Sequence, residues 1–241
     1  MNFIAKSKMA QIKKHINYLN KIGQWLFLPL EYLLMAGTKK DAIISINDYP
    51  ELNVLALHTD IILNEYQSFV GKNDILPFMD ELSYSQKKIV SPKHWSSIFL
   101  KIYGREIPEI KLDFPKTAEF IRDLPGVKTA FFSVFAPKTH LSAHRGPYKG
   151  VIRYHLGLII PENCGIRIDG KDYTWAYGKP LLFDDTYIHE AWNNSDEHRV
   201  VLFLDVERKL PLLQRCLNRV LLFLISKSPF VSEIYSNATK R

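Results

Sequence analysis

The chain has little cysteine and no long apolar run, and these two absences limit the classes of protein to which it can belong. Its two cysteines, Cys164 and Cys216, are too few for a disulfide framework and fit a reducing compartment. No stretch reaches the roughly 18 uninterrupted apolar residues that a membrane-spanning helix needs. The N-terminus lacks the apolar core and cleavage site of a signal peptide. We therefore expect a cytoplasmic protein, with any membrane contact made peripherally on the cytoplasmic face.

The composition is that of a globular protein with an excess of positive charge. A hydrophobic content of 46% and a charged content of 24% exclude a disordered chain. The formal net charge of +7 favours an acidic partner, such as membrane phospholipid, nucleic acid or an anionic substrate, although a solubilising lysine surface would explain it equally well. No compact basic and aromatic recognition motif is visible, so we expect no nucleic-acid partner.

Hydrophobic periodicity divides the chain into three regions. Residues 1–48 form a basic amphipathic N-terminal segment, 49–208 the main domain, and 209–241 a C-terminal amphipathic helix and tail. An apolar stripe at helical spacing in the last region lies opposite Arg215 and Asn218; it comprises Leu212, Leu213, Cys216, Leu217, Val220, Leu221 and Leu224. Both terminal regions could pack on the main domain or lie in a membrane interface, and the sequence leaves both open.

The main domain begins with helices and continues with strands. Helical spacing between residues 50 and 70 predicts a core-facing stripe of Leu52, Leu55, Ile62, Tyr66 and Phe69. Residues 115–121 predict a second helix, and 71–92 a loop. From Val127 the period changes to two, in short segments separated by Gly, Pro and Asn turns. We therefore predict a mainly β sandwich or barrel with flanking helices.

Two histidines and one arginine on strand-like segments give the strongest chemical signal. His144 follows one strand, His189 follows another, and Arg199 begins a third. Neutral imidazoles serve iron(II) well and leave positions open for further ligands. A cation beyond the second histidine suits an acidic cosubstrate such as 2-oxoglutarate. Each histidine alone would more often be structural, so the prediction depends on the combination.

A second pair of polar residues strengthens this pattern. Arg153 and His155 share one face of a strand, because side chains two residues apart point the same way. A buried arginine needs an anionic partner, since an unpaired interior charge is very costly. Arg153 and Arg199 together could neutralise a dicarboxylate. For each arginine the alternative is an internal salt bridge to a carboxylate of this chain: Asp185, Asp205 or Glu207.

The segments HRGPYKGVIRYHLGLIIP and TWAYGKPLLFDDTYIHEAWNNSDEHRVVLFLDVER resemble the aspartyl/asparaginyl β-hydroxylase family of iron(II)/2-oxoglutarate oxygenases. The similarity runs from about residue 52 to residue 208. It implies a double-stranded β-helix, the jelly-roll or cupin-like fold, and a dioxygenase that uses O2 and 2-oxoglutarate. It further implies that His144 and His189 bind iron, and that Arg199 is catalytically required. The implied 2-oxoglutarate site comprises Arg199, Trp95, Ser133, Arg153 and His155.

The sequence departs from the commoner His-x-Asp/Glu iron motif, because Gly146 occupies the carboxylate position and offers no ligand. This departure fits the two-histidine site of peptide-hydroxylating members of the family, and it also fits an inactive relative. The basic amphipathic flanks and the closing DVER resemble the bacterial branch that hydroxylates acyl chains of lipids, such as lipid A hydroxylase. We expect a lipid substrate, with Asp or Asn side chains of a peptide as the alternative. The other open classes are a non-catalytic β-barrel that binds lipid or nucleic acid and a metal-independent sandwich that binds a sugar or a carboxylate.

Overall fold

The computed structural model describes residues 30, 32–38, 41–73, 77–79, 90 and 94–239. The predictions for residues 1–29, and most of those for the loop at 71–92, fall outside the described residues. What is described is mainly antiparallel β-sheet flanked by helices. The division of the chain at residues 48 and 208 stays a prediction.

The strands form two antiparallel sheets, one of seven strands in the order β1-β9-β6-β11-β4-β2-β3 and one of four in the order β5-β10-β7-β8. The strands are β1 (Ile43–Ile44), β2 (Trp95–Ile102), β3 (Arg105–Glu106), β4 (Val127–Phe135), β5 (Thr139–His144), β6 (Val151–Ile159), β7 (Cys164–Ile168), β8 (Lys171–Tyr173), β9 (Pro180–Phe183), β10 (His189–Asn193) and β11 (Arg199–Glu207). From β4 to β11 the chain passes repeatedly between the two sheets, which is the winding of a jelly roll. The predicted fold class is confirmed.

Five α-helices flank the sheets in the described part of the chain. They are α1 (Asn53–Leu57), α2 (Thr59–Val70), α3 (Pro115–Asp123), α4 (Leu212–Ser226) and α5 (Pro229–Ala238), with 3-10 turns at Ile46–Asp48, Pro50–Leu52 and Pro108–Leu112. All five residues of the predicted stripe between residues 50 and 70 are buried. The predicted helix at 115–121 is α3, and the segment from Trp95 is β2.

Both faces of the seven-stranded sheet are buried, which explains why β11 is apolar at nearly every position. Its outer face packs under the helices, as when the ring of Phe132 lies 5.3 Å from Tyr66 and 4.9 Å from Phe114. Its inner face belongs to the jelly-roll interior, where the ring of Phe131 lies 4.2 Å from that of Phe203. Because side chains alternate between the two faces of a strand, neighbouring residues of this sheet pack in two different cores.

The C-terminal helix packs on the jelly roll through the face opposite the predicted apolar stripe, whereas the sequence left packing on the domain and membrane contact both open. Asn218, expected opposite the apolar stripe, is completely buried: it accepts a hydrogen bond from the hydroxyl of Tyr148 at 2.6 Å and donates to the carbonyl of Gly150 at 2.9 Å. Most of the predicted stripe is instead exposed, including Leu213 and Val220. A buried amide with both groups satisfied fixes the helix as well as an apolar contact would.

None of the helices within the described ranges is long and apolar enough to cross a membrane.

Candidate active site

The two predicted histidines face each other across neighbouring strands of the four-stranded sheet. His144 is the last residue of β5 and His189 the first of β10, and the antiparallel register pairs them directly. Their ring centroids are 4.2 Å apart. Two residues 45 positions apart in the sequence are therefore brought together by strand pairing alone.

The hydrogen bonds of both imidazoles determine which nitrogen is free. The Nδ1 atom of His144 lies 2.8 Å from the carbonyl of Ser142, and that of His189 lies 2.9 Å from the carbonyl of Tyr187. A carbonyl can only accept, so Nδ1 carries the proton in each ring and Nε2 keeps its lone pair. Burial lowers the pKa of His144 and lowers that of His189 to about 3, so both rings are neutral at physiological pH.

The carboxylate of Asp185 fills the space beside Gly146. A Cβ atom at position 146 would overlap that carboxylate, and the Gly146 amide donates to the Asp185 carbonyl at 2.7 Å. The same carboxylate is paired with Arg153 at 2.8 Å, and its Oδ1 atom is buried without a hydrogen-bond partner. Burial raises the pKa of Asp185, and the nearby Arg153 opposes that shift. Nowhere in the described ranges do three or more His, Cys, Asp or Glu side chains converge in a metal-binding group.

The five residues expected to hold the cosubstrate all lie on the inner face of the seven-stranded sheet. The register of β2, β4 and β11 aligns Trp95, Phe135 and Arg199 in one row, and Ser133 lies in the next row. Further along the same face, β6 contributes His155 and Arg153. The structure therefore brings every predicted site residue to the jelly-roll interior: His144 and His189 from one sheet, and Trp95, Ser133, Arg153, His155 and Arg199 from the other.

Arg199 is the only one of the two inner-face arginines without a carboxylate partner among the described residues. It is 2% exposed, and its guanidinium carbon lies 3.8 Å from the ring centroid of Phe135 and 4.8 Å from that of Trp175. It donates one bond, of 3.4 Å, to the carbonyl of Ser133, while its Nε atom has no partner. Burial lowers the pKa of Arg199 to about 9. The internal salt bridge considered as its alternative is not formed.

Arg153 does form the internal salt bridge. Its guanidinium lies 2.8 Å from Asp185 and 3.3 Å from Asp205, over the ring of Phe203 at 4.5 Å. Burial lowers the pKa of Arg153, and the two carboxylates more than offset this. Its expected contact with a cosubstrate stays a prediction, because in this arrangement its charge is already matched.

His155 presents a hydrogen-bond donor without an acceptor. The Nε1–H of Trp175 donates to Nδ1 of His155 at 3.2 Å, so the imidazole proton is on Nε2. That Nε2 atom is buried and has no partner. Burial, together with Arg153 and Arg199, holds the pKa of His155 well below its ordinary value. The site thus offers a neutral N–H that only an added acceptor would satisfy.

Trp175 is the site residue that sequence reasoning missed. It is 4% exposed and contacts both Arg199 and His155, but it lies between β8 and β9, outside any periodic segment. Its only signal was its place in the TWAYGKP motif. Trp95, by contrast, was expected, and its indole donates to the hydroxyl of Ser133 at 3.0 Å.

Comparison with known proteins places the chain in a family. The model of the aspartyl/asparaginyl β-hydroxylase family matches residues 57–209, and the chain belongs to this family. The ornithine lipid ester-linked acyl 2-hydroxylase of Rhizobium tropici is 40% identical over 176 residues, which cover 72% of this chain and 63% of that protein. The human aspartyl/asparaginyl β-hydroxylase is 36% identical over 118 residues, or 46% of this chain and 16% of that protein. The resemblance inferred from the sequence motifs is confirmed.

The chain spans less than two-thirds of the length of these curated relatives. Among solved structures, a cupin domain of a transcriptional regulator from Enterobacter cloacae is 21% identical, covers 34% of this chain and 82% of that one, and superposes with a TM-score of 0.29. A value that low supports no conclusion, and the strand order alone defines the fold. The matching model describes a family of hydroxylases.

Proposed function

We propose that this protein is an iron(II)- and 2-oxoglutarate-dependent dioxygenase that hydroxylates an unactivated carbon on the acyl chain of a membrane lipid. The observation that supports it best is the buried guanidinium of Arg199, which has no carboxylate partner among the described residues. An interior cation without a partner is unfavourable by several kcal/mol. A dicarboxylate that enters the jelly roll would remove this penalty, and an arginine can bind one carboxylate through two hydrogen bonds.

The two imidazoles fit iron(II). Both are neutral, both have Nδ1 held by a backbone carbonyl, and both leave Nε2 available as a donor atom. Two nitrogen donors leave the other positions open for a keto acid and for oxygen. The carboxylate of Asp185, which fills the space beside Gly146, would hold a water molecule that serves as a further iron ligand.

The remaining residues would bind and orient the cosubstrate. Arg199 would hold the distal carboxylate of 2-oxoglutarate, beside the Ser133 hydroxyl that Trp95 positions. The free Nε2–H of His155 would donate to the keto-acid end. When bound, iron(II) and 2-oxoglutarate would react with O2 to supply the oxidant, with succinate and carbon dioxide as co-products. The apolar and aromatic walls would exclude water from this reaction.

A lipid acyl chain is the substrate that we favour. The Rhizobium tropici relative covers more of this chain, at higher identity, than the human aspartyl/asparaginyl β-hydroxylase does. Within the lipid class, that relative favours an acylated amino-acid lipid over the lipid A-like substrate suggested by the motifs alone. We keep as part of this proposal a cytoplasmic location with peripheral contact at the membrane.

Two alternatives follow from particular observations. The shared motifs extend to hydroxylases of Asp and Asn side chains, so a peptide substrate is the second candidate. The absence of a ligand at Gly146 would equally suit a relative that binds the cosubstrate without turnover. A metal-independent binding protein is the third outcome that an experiment must separate.

The test is anaerobic titration with iron(II) and 2-oxoglutarate, followed by addition of oxygen and measurement of succinate. We expect succinate to rise with membrane lipid and not with Asp- or Asn-containing peptide. His144→Ala and His189→Ala should abolish turnover. His140→Ala is the matched control, because His140 is exposed on the same strand as His144 and pairs with Glu190. Cosubstrate binding that does not need iron would rule out the dioxygenase.

A further inference from the structure

Helix α4 exposes a continuous apolar face. Four large side chains on this face are more than half exposed: Leu213 at 84%, Phe223 at 60%, Leu224 at 58% and Val220 at 56%. They recur at the three- and four-residue spacing that places side chains on one side of a helix. We call these four residues the α4 outer face. Scattered exposed leucines are ordinary on a protein surface, whereas four on one helix face indicate a binding surface.

The opposite face of the same helix is fixed to the jelly roll. Asn218 bonds to Tyr148 and to the Gly150 backbone, and Leu222 is buried in a small cluster with Leu34 and Leu210. A Cβ atom at Gly150 would overlap the Asn218 amide, so the close approach depends on that glycine. The helix is therefore held in one rotational setting, and its outer apolar side chains remain exposed while the helix is docked.

Positive charge is concentrated in two stretches of the sequence. Residues 1–30 and 208–228 together hold ten of the 32 lysines and arginines and none of the 25 acidic residues. The rest of the chain carries 22 basic and 25 acidic side chains, so the net positive charge comes entirely from these two stretches. On α4 itself, Arg215 and Arg219 are exposed and no acidic residue is present, while Arg219 pairs with Glu207 of β11. A helix that has an apolar outer face and only basic charged residues matches an anionic phospholipid surface.

The inner side of α4 adjoins the ion-pair network of the candidate site. A cavity of about 40 Å³ is lined by Leu222 on the helix and by Arg153, Asp185 and Asp205 at its other end. Asp185 is the residue whose carboxylate lies beside Gly146, two positions after His144. One face of the helix thus lines a cavity that also contacts Arg153 and Asp185, and the other face exposes apolar side chains.

We propose that the α4 outer face is a docking surface for an anionic phospholipid bilayer. Leu213, Val220, Phe223 and Leu224 enter the interfacial region, and the surrounding arginines and lysines contact lipid phosphates. In this orientation the inner face of α4, with the cavity that Leu222 lines, is turned away from the bilayer. The inference deepens the membrane contact included in the proposed function, and its test does not require turnover.

The experiment is flotation of the full-length protein with vesicles, without iron or 2-oxoglutarate. Wild-type protein should float with vesicles of phosphatidylethanolamine and phosphatidylglycerol, and much less with phosphatidylcholine alone. The double variant L213Q/L224Q should reduce the bound fraction by about tenfold or more. Leu57→Gln and Leu112→Gln are matched controls, because these leucines are 81% and 89% exposed elsewhere on the molecule. Both controls should float like wild type.

Other occupants of the surface give different results. Equal flotation of wild type and L213Q/L224Q would overturn the proposal, as would flotation that is lost only when the lysines of residues 1–30 are changed. A wild-type dimer in solution that L213Q/L224Q converts to monomer, with no flotation, would identify a second copy of the chain as the occupant. If wild type floats but the separate assay with iron(II), 2-oxoglutarate and oxygen yields neither succinate nor hydroxylated lipid, the docking surface stands and the proposed function is rejected. Circular dichroism of each variant checks that the fold is kept.

Discussion

The two ends of the inner face of the seven-stranded sheet contain the same residue type in opposite electrostatic situations. At one end, Arg153 lies between the carboxylates of Asp185 and Asp205. At the other, Arg199 lies against Phe135 and Trp175 without a carboxylate among the described residues. Arg199 is 2% exposed and the side chain of Arg153 is 19% exposed, yet only Arg153 has carboxylates that compensate its desolvation. An internal ion pair therefore neutralises the first end, and the second end is where the proposed function puts the cosubstrate.

The largest expected effect is on folding stability, with opposite signs at the two ends. Arg153→Met should lower the free energy of unfolding by about 3–5 kcal/mol, because Asp185 and Asp205 would be left buried without a cation. Arg199→Met should leave it unchanged or raise it by about 1–3 kcal/mol, because it removes an unpaired charge. Urea unfolding of the cosubstrate-free proteins at neutral pH measures both. Equal losses of unfolding free energy in the two variants would contradict the difference between Arg153 and Arg199.

The next effect concerns cosubstrate binding. Arg199→Lys keeps the charge but loses the two-pronged geometry, so the 2-oxoglutarate concentration needed for half-maximal binding should rise by about 100-fold. The anaerobic titration measures it directly. Arg167→Lys is the matched control, since Arg167 is an exposed arginine that pairs with Asp172 and Glu190 on the four-stranded sheet. An unchanged requirement in Arg199→Lys would mean that another residue holds the distal carboxylate.

The Arg153 end should also show a pH dependence of stability. Burial, reinforced by Asp185, raises the pKa of Asp205 to about 6, above the value of about 4 for an unfolded aspartate. The folded protein therefore holds a proton that the unfolded chain releases, so this contribution is complete below pH 4 and is lost as pH rises through 6. Between these values wild type should lose on the order of 2 kcal/mol relative to Asp205→Asn. Parallel stability curves for the two proteins would contradict the raised pKa.

The smallest predicted effect is on 2-oxoglutarate binding when Trp175, which contacts Arg199 and His155, is changed. Trp175→Phe keeps an aromatic ring near Arg199 but removes the indole N–H that fixes the proton of His155 on Nε2. We expect about tenfold weaker 2-oxoglutarate binding, from the loss of one oriented hydrogen bond. Trp192→Phe, which changes an indole beside Arg167 on the outer side, should bind normally. Normal binding by Trp175→Phe would show that His155 selects its tautomer unaided.

Sequence alone could predict most of the fold because its elements follow local periodicity. The period-two segments after Val127 became the jelly-roll strands, and the stripe between residues 50 and 70 became buried helices. His144 and His189 could be singled out because they stand at strand ends within a recognisable motif. In these cases the relevant information lies within about ten residues of each position.

The parts that sequence could not provide depend on contacts between distant residues. Periodicity correctly predicted the apolar side of α4, but it could not predict which side packs against the jelly roll. That side is fixed by Asn218, whose partner is Tyr148, a residue 70 positions earlier in the sequence. It offered three candidate carboxylates for Arg153 without ranking them, and the structure selects Asp185 and Asp205. Nor could it show that Trp175 touches Arg199 and His155, since all three come from different segments.

The overlap at Gly146 restricts the routes by which this site can change in evolution. Any larger residue at position 146 must first displace the Asp185 carboxylate, which in turn holds Arg153. An aspartate at position 146 would therefore disturb two other residues at once, and its cost would depend on the residues at positions 153 and 185. A side chain at this position fits only together with a second change that moves the Asp185 carboxylate, so single substitutions here are selected against by packing as well as by chemistry.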